Sequence, residues 1–187
     1  GLLSIGNLGL KHNRKLVPTR WSITATDDTI GKNILEEVKQ FPFIDYKAYF
    51  GDYLENYFLI LTFPEIWQYE LFEMMAQSRP LRYTTDFEPY AGRKKYAEQT
   101  AGGFYSTRLA ILEQFKKEKR QGSTLVLRFV TEDYGIPLGV FVVREGVRKA
   151  MQNKPIEFAS KELLITYAKH LAKRKFHVNL DEILPKS

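Results

Sequence analysis

The sequence contains no cysteine and only three histidines, His12, His170 and His177, which lie far apart along its 187 residues. Without cysteine, the chain can form neither a disulfide nor a thiolate metal site. The histidines also lack the close spacing of zinc-binding pairs, so we expect no metal site and no cofactor within this chain. A cysteine-free composition fits a reducing compartment, and we therefore expect a cytoplasmic location.

Long apolar segments are also missing. The longest such run, residues 57–61, has the length of a strand and falls well short of the roughly 20 residues that span a bilayer. We therefore expect no membrane association. The chain starts with Gly1 and has neither an initiator methionine nor the layout of a signal peptide. From this start we expect a piece excised from a longer protein.

The residues that are present predict a folded, basic protein. Hydrophobic residues make up 44% of the chain and charged residues 27%, a composition that excludes intrinsic disorder. The net charge of +6 favours a polyanionic partner only slightly, because many basic proteins never bind nucleic acid.

Apolar periodicity predicts helices and strands that do not alternate regularly. Predicted helices cover residues 27–41, 105–119, 144–151 and a final segment for which Ser160 is the N-cap. Predicted strands cover residues 21–26, 46–50, 56–63, 66–75, 124–131 and 138–143, with a turn at 51–52 and a long loop over 79–92. This order predicts an α+β fold in which a mixed or antiparallel sheet packs against several helices, the last of them C-terminal. We expect a core domain over residues 1–151, followed by a C-terminal helix and basic tail over 152–187.

A basic segment near the start, residues 11–28, combines cations with an indole. Arginine and lysine bind phosphates, and tryptophan stacks on bases, so the segment is a candidate for nucleic-acid binding. The candidate residues are Lys11, Arg14, Lys15, Arg20 and Trp21. The alternative is a solvated basic loop with Trp21 in the core, since short basic runs are common.

A second basic cluster lies within residues 92–96. Arg93 and Lys94 are its candidate nucleic-acid-binding residues, and they stand near the end of the predicted long loop. Long loops inside compact domains often carry binding residues, which favours a functional role for this cluster.

Two adjacent glycines, Gly102 and Gly103, precede the helix predicted at 105–119. Glycines at a helix N-terminus let backbone N–H groups approach an anion, so Gly102, Gly103 and Ser106 form a candidate anion-binding site. Arg108 lies in the same helix and is a further candidate for nucleic-acid binding. The alternative is tight helix packing at the glycines, with Arg108 paired to a buried acid such as Glu145.

Asp27 and Asp28 form an adjacent acidic pair at the start of the first predicted helix. Their oxygens suit magnesium, but capping of the helix is the favoured interpretation, since one adjacent pair supplies few ligands without distant partners. In an enzyme acting on nucleic-acid phosphates, Asp27, Asp28 or Glu145 would hold a metal and Arg20 or Arg108 would stabilise charge. No serine lies in a nucleophile-elbow pattern, and catalytic residues stay unassigned.

Several of these stretches together resemble a known family. They are residues 15–25, 27–31, 92–94, 96–98, 102–103, 138–140 and 143–145, and their most specific part is the run Val17, Pro18, Thr19, Arg20, Trp21, Ser22. The pattern resembles the archaeal Nre family of DNA-repair proteins, in particular its C-terminal region, up to about Met151. The resemblance supplies no catalytic residue that can be placed on this chain.

The resemblance implies a longer protein and further partners. Family members carry a cysteine-containing, zinc-binding N-terminal part, so zinc is expected in a part that is missing here, which would itself be a partner of this chain. Many members also end in a motif that docks on the sliding clamp of replication. Residues 181–187 lack the glutamine and paired aromatics of that motif, so clamp binding would need a segment not present here.

Three functions follow from the sequence. The first is a DNA-repair domain that associates with DNA or with repair and replication partners. The second is an enzyme domain that processes nucleotides or nucleic acid. The third is a protein-interaction scaffold that uses the final helix and basic tail. Convergence of Arg20, Asp28, Arg93 and Arg108 in one cleft would favour a binding or catalytic site over a scaffold.

Overall fold

The computed structural model describes residues 5–8, 15–18, 20–131 and 139–184, with side chains from residue 22 onward. Its helices are α1 (Arg20–Val38), α2 (Ala101–Glu118), α3 (Gly139–Gln152) and α4 (Lys161–Phe176), with a 3-10 turn at Leu180–Glu182. Its strands are β1 (Ile5–Leu8), β2 (Lys15–Pro18), β3 (Lys47–Tyr53), β4 (Asn56–Phe63), β5 (Gln68–Met75), β6 (Arg82–Glu88), β7 (Ser123–Val130) and β8 (Ile156–Glu157).

Six strands form one mixed sheet. Their order is β6-β5-β7-β4-β3-β8, and all neighbours are antiparallel except β5 and β7, which are parallel. Strands β3–β4 and β5–β6 are joined directly and run antiparallel. Between β6 and β7 in the sequence, α2 carries the chain across the sheet, so that β7 lies beside β5 and runs parallel to it. A separate antiparallel pair joins β1 to β2. These elements confirm the predicted α+β fold with a C-terminal helix.

Each face of the sheet buries its own core. On one face, Tyr69 of β5 and Val126 of β7 pack with α2 and α3, and α1 packs against α2. On the other face, Phe129 of β7 stacks on Phe176 of α4 with ring centroids 4.1 Å apart. Successive strand residues point to opposite faces, so the apolar runs in β4 and β7 supply both cores.

Two of the predicted strands are wrong. Residues 21–26 belong to α1, and residues 139–143 belong to α3. In α1, the large-and-small alternation that suggested a strand belongs to a helix whose N-terminal half buries Ser22, Thr24, Asp27 and Asp28. In α3, the β-branched run that suggested a strand is the first part of a helix. Its valines continue into the buried Gly146 and Val147 at helical spacing.

Two loop predictions are also wrong. The predicted loop over 79–92 contains β6, whose polar sequence hid a strand at the sheet edge. Residues 51–52 lie within β3, and the turn falls at Leu54 and Glu55, which have φ of 48° and 61°. Gly51 serves helix packing instead, since a Cβ there would lie 2.7 Å from the Cα of Ala150 in α3.

The other predicted elements agree with the structure. The strand predicted at 66–75 is β5, Gln68–Met75, and the helix predicted at 105–119 begins earlier, at Ala101, ahead of Gly102 and Gly103. Ser160 is the N-cap of α4 and accepts a hydrogen bond from the Leu163 N–H. Within the described ranges, no helix combines the length and apolar character that a membrane crossing requires.

Candidate nucleic-acid interface

A cleft of about 410 Å³ lies between α1, α2 and the loop over residues 89–96, which follows β6. Nine of its fifteen lining residues are charged. The cationic residues that line it are Lys32, Lys39, Arg93, Lys94, Lys95 and Arg108, against three acids, Asp28, Glu36 and Glu88. We call this the basic cleft. Three of the four residues expected to reveal a site, Asp28, Arg93 and Arg108, therefore converge in it.

The floor of the basic cleft is a buried ion network around Arg108. Its Nη1 donates to Glu88 Oε2 at 2.6 Å, and its Nη2 donates to Asp28 Oδ1 at 2.7 Å. Burial disfavours the charged guanidinium, but the carboxylates of Glu88 and Asp28 more than compensate, and the pKa of Arg108 is raised. The Nε1–H of Trp67 donates to the second oxygen of Glu88 at 3.1 Å. Arg108 is thus a buried structural cation that holds α1, α2 and β6 together.

The sequence identified Arg108 but not its partners. The alternative that Arg108 pairs with a buried acid is confirmed, but the acids are Asp28 and Glu88. Glu145, the example offered, pairs with Arg148 at 2.6 Å instead. Gly31 leaves room for the network, since a Cβ at that position would lie 3.1 Å from Arg108 Nη2 and would press on the guanidinium.

Arg93 fastens the 89–96 loop to the end of β6. Its Nη1 donates to the Phe87 carbonyl at 2.6 Å, and its Nη2 donates to Asp86 Oδ1 and the Tyr96 carbonyl, each at 3.2 Å. Its Nε donates to the Lys95 carbonyl at 3.1 Å. All three nitrogens of Arg93 therefore bind protein oxygens, and the exposed cations of this loop are its neighbours Lys94 and Lys95.

The mouth of the basic cleft carries cations and aromatic rings from both walls. On the α1 wall, the Lys32 side chain is 62% exposed, although its Nζ reaches Asp28 Oδ2 at 2.8 Å. Lys39 Nζ lies 4.6 Å from the ring centroid of Tyr90. On the loop wall, Tyr96 is 51% exposed and packs on buried Tyr105, with ring centroids 5.2 Å apart.

Sequence patterns indicate only some of the residues at this mouth. Lys32 and Lys39 are not among the candidate residues that the sequence indicates, and Lys95 and Tyr96 enter only as members of the 92–96 cluster. The available signal was weak: Lys32 and Lys39 are seven positions apart, which puts them on one side of a helix. Nothing in that spacing shows that the 89–96 loop lies opposite.

The predicted anion site at the start of α2 is buried. Gly103 approaches Glu73 so closely that a Cβ would lie 2.7 Å from its Oε1, and the Ser106 hydroxyl donates to the Gly102 carbonyl at 3.1 Å. A carboxylate of the chain, that of Asp86, accepts hydrogen bonds from the N–H and hydroxyl of Thr100 just before the helix. Anion binding by Gly102, Gly103 and Ser106 stays a prediction.

The early basic residues take different positions. Lys11 and Arg14 lie outside the described residues, Lys15 lies in β2, and Arg20 and Trp21 are the first two residues of α1. For Lys15, Arg20 and Trp21 the structure describes the backbone. Their role in nucleic-acid binding stays a prediction.

The adjacent acids Asp27 and Asp28 lie inside α1, and each faces an arginine from another helix. Asp27 Oδ1 accepts a hydrogen bond from Arg144 Nη1 of α3 at 2.6 Å. Burial raises the pKa of Asp27, although the nearby charge of Arg144 opposes the shift. The predicted capping role is wrong, because α1 starts seven residues earlier, at Arg20. Within the described residues, no group of three histidine or acidic side chains is placed to hold a metal ion.

Comparison with known proteins gives the chain its family. The sequence model described as "Archaeal Nre, N-terminal" matches residues 1–80, and the one described as "Archaeal Nre, C-terminal" matches residues 88–186. The segment before β3, which includes α1, thus falls within the N-terminal match. The α1 wall of the basic cleft belongs to the N-terminal match, and the 89–96 loop that forms the other wall belongs to the C-terminal match. No solved structure matches the chain.

Curated relatives agree with the two family matches. DNA repair protein NreB of Archaeoglobus fulgidus is 38% identical over 187 aligned residues, and this alignment covers 96% of this chain and 46% of the relative. DNA repair protein NreA of Haloferax volcanii is 37% identical over 162 residues, which cover 82% of this chain and 39% of the relative. DNA repair protein NreA of A. fulgidus is 35% identical over 180 residues, 93% of this chain and 46% of the relative. The chain therefore spans less than half the length of these relatives, and it belongs to the archaeal Nre family.

Proposed function

We propose that this chain is part of a DNA-repair protein and that it contacts DNA through the basic cleft. The relatives are named DNA repair proteins, which supports the repair role. The observation that supports the contact is the convergence of six cationic side chains from α1, α2 and the 89–96 loop around one cleft. Cations gathered in this way neutralise phosphates and release bound counterions.

Five of the six cations of the cleft divide into two groups with different roles. Arg108 and Arg93 are held by oxygens of the chain, and we assign them the task of positioning the floor and the loop. Lys32, Lys94 and Lys95 are exposed at the mouth, and we assign them the phosphate contacts. Lysine suits this task because its ammonium group binds phosphate as a point charge.

Other expectations belong to the same proposal. A cytoplasmic location follows from the cysteine-free composition and from the need to reach DNA. The sliding clamp, bound through a segment outside this chain, and the zinc-binding part of a longer protein are further proposed partners. Their support is the family membership together with the greater length of the relatives.

Salt-dependent DNA binding tests the cleft directly. Fluorescence anisotropy with a labelled 20-nucleotide DNA should show affinity that falls as salt rises. The double variant Lys94→Ala/Lys95→Ala should bind at least about tenfold more weakly. Its slope of log affinity against log salt should be shallower by up to roughly two, because each phosphate contact contributes about 0.7–0.9.

The matched control removes two cations from the opposite face of the sheet. Lys173 and Arg174 are adjacent and exposed on α4, so Lys173→Ala/Arg174→Ala changes net charge equally without touching the cleft. The control should bind DNA within about twofold of the unmodified chain. A loss confined to the α4 variant would place DNA on α4 and overturn the proposal, as would absence of DNA binding at low salt.

A further inference from the structure

The size of the basic cleft limits what can enter it. Its volume of about 410 Å³ lies within the range of roughly 300–1,000 Å³ found for pockets that enclose one small molecule. A duplex cannot enter such a space, and its bases stay stacked inside the helix unless one is extruded. If DNA uses the interior of the cleft, the part that enters must be a single unpaired unit.

The charges of the cleft are arranged by depth. At the floor, Asp28 and Glu88 place two carboxylates around the single guanidinium of Arg108, and all three side chains are at least 90% buried. At the mouth, Lys94 and Lys95 are exposed cations. The guanidinium of the floor is thus occupied by carboxylates of the chain, so a phosphate is drawn to the cations of the mouth, whereas a neutral base suits the interior.

An aromatic ring lies where an entering base would pass. Tyr96 lines the cleft, is 51% exposed, and rests on Tyr105. Tyr105 is fixed in turn, because its hydroxyl oxygen accepts a hydrogen bond from the Ala97 N–H at 2.8 Å. A half-exposed ring that lines the cleft and contacts a second, fixed ring offers a stacking surface for a base.

We propose that the basic cleft takes one unpaired nucleotide of a DNA strand. The base stacks on Tyr96 inside the cleft, and the flanking phosphates stay at the mouth on Lys32, Lys94 and Lys95. This inference rests on the proposed DNA contact and adds to it the form of DNA that is recognised: single strands, or duplexes with an extruded nucleotide.

The test compares three DNAs of one length. They are a fully paired 20-base-pair duplex, the same duplex with one bulged nucleotide, and a 20-nucleotide single strand. The chain should bind the bulged duplex and the single strand at least about tenfold more tightly than the paired duplex. A 2-aminopurine at the bulge should also change its fluorescence on binding, because it leaves the DNA stack for the tyrosine ring.

Variants of Tyr96 separate stacking from charge. Tyr96→Ala should reduce the preference for unpaired DNA to about twofold or less, and Tyr96→Phe should retain it, since the ring is kept and only the hydroxyl is lost. The Lys94→Ala/Lys95→Ala variant should weaken all three DNAs by a similar factor. Urea unfolding midpoints of the variants establish that each is folded at the assay temperature.

Competition identifies the group that enters the cleft. Deoxythymidine monophosphate should displace the single strand at concentrations where inorganic phosphate does not. Equal displacement by phosphate would show an anion site at the mouth only, and would overturn the inference. Equal affinity for all three DNAs, with the lysine dependence kept, would overturn it while leaving the proposed DNA contact intact. Loss of the lysine dependence would overturn both.

Discussion

Arg108 of α2 donates to Asp28 of α1 with 2.7 Å between Nη2 and Oδ1, although 80 residues separate them in the sequence. The same guanidinium reaches Glu88 at the end of β6. The pair therefore fixes the position of α1 relative to the sheet edge, and with it the width of the basic cleft. Because all three side chains are buried, each charge needs its partners: the loss of one would leave the others buried without an opposite charge.

Removing the charge of Arg108 should destabilise the fold. Arg108→Met keeps most of the side-chain volume but leaves Asp28 and Glu88 buried without their cation, which should cost about 3–5 kcal/mol in the free energy of unfolding. Urea denaturation followed by circular dichroism measures the change. Lys116→Met, which breaks the half-exposed pair with Glu37, should cost less than about 1 kcal/mol. Equal costs for the two variants would contradict the structural role of Arg108.

Arg93 and Lys94 should behave differently although they are neighbours. Arg93→Ala removes hydrogen bonds to four acceptors and should free the 89–96 loop, whereas Lys94→Ala removes an exposed cation and should leave the loop in place. Amide hydrogen exchange over residues 89–97 measures this, with at least about tenfold faster exchange expected for Arg93→Ala. Unchanged exchange in that variant would show that other contacts hold the loop.

Gly51 should not tolerate a side chain. A Cβ in Gly51→Ala would lie 2.7 Å from the Cα of Ala150, so α3 must move away from β3 at a cost of about 1–3 kcal/mol. The thermal or urea unfolding midpoint measures the loss. Asp52→Ala on the same strand is the control, because Asp52 is exposed, and it should change stability by no more than about 0.5 kcal/mol. A neutral Gly51→Ala would mean that the β3–α3 contact is looser than the structure shows.

Glu70 should make stability depend on pH. Burial raises its pKa above the ordinary 4.5, although a hydrogen bond from the Thr85 hydroxyl opposes the shift. Between 4.5 and the raised value, the folded chain holds this proton more firmly than the unfolded chain does. The contribution of Glu70 to stability therefore falls as pH rises through that window, and the cost persists at neutral pH.

Glu70→Gln should remove that dependence. The variant should match the unmodified chain below about pH 4 and become the more stable of the two as pH rises to 7. Urea midpoints at several pH values measure the difference between the two proteins. Glu98→Gln, at an exposed position, is the control, and its effect should not grow over the same range. A difference for Glu70→Gln that stays constant with pH would rule out this titration.

The fold could be predicted where local pattern and tertiary environment agree. Ser160 precedes an apolar helical stripe, and α4 forms there with Ser160 as its N-cap. Strands β4 and β7 are rich in apolar residues that are buried on both faces, so their own residues indicate them. The prediction failed at the first seven residues of α1, because the N-terminal half of this helix buries polar residues such as Asp27 and Asp28, whereas periodicity reveals buried apolar residues.

The basic cleft could be predicted only in part. The sequence pointed to Arg93, Lys94 and Arg108 as cations near helix and loop boundaries, and all three line the cleft. It could not show that Arg93 and Arg108 are held by protein oxygens, because their partners come from other elements. It also could not show that Lys32 stands across from Lys94.

By itself, the sequence determined the absence of thiolate chemistry, the positive net charge, the α+β content and the resemblance to the Nre family. These properties depend on composition and on patterns within short segments. Only the tertiary structure decided that Asp28 binds Arg108 instead of capping a helix, and that α1 and the 89–96 loop face each other. The reason is physical: a buried charge requires a partner, and which partner it meets depends on how elements distant in sequence pack.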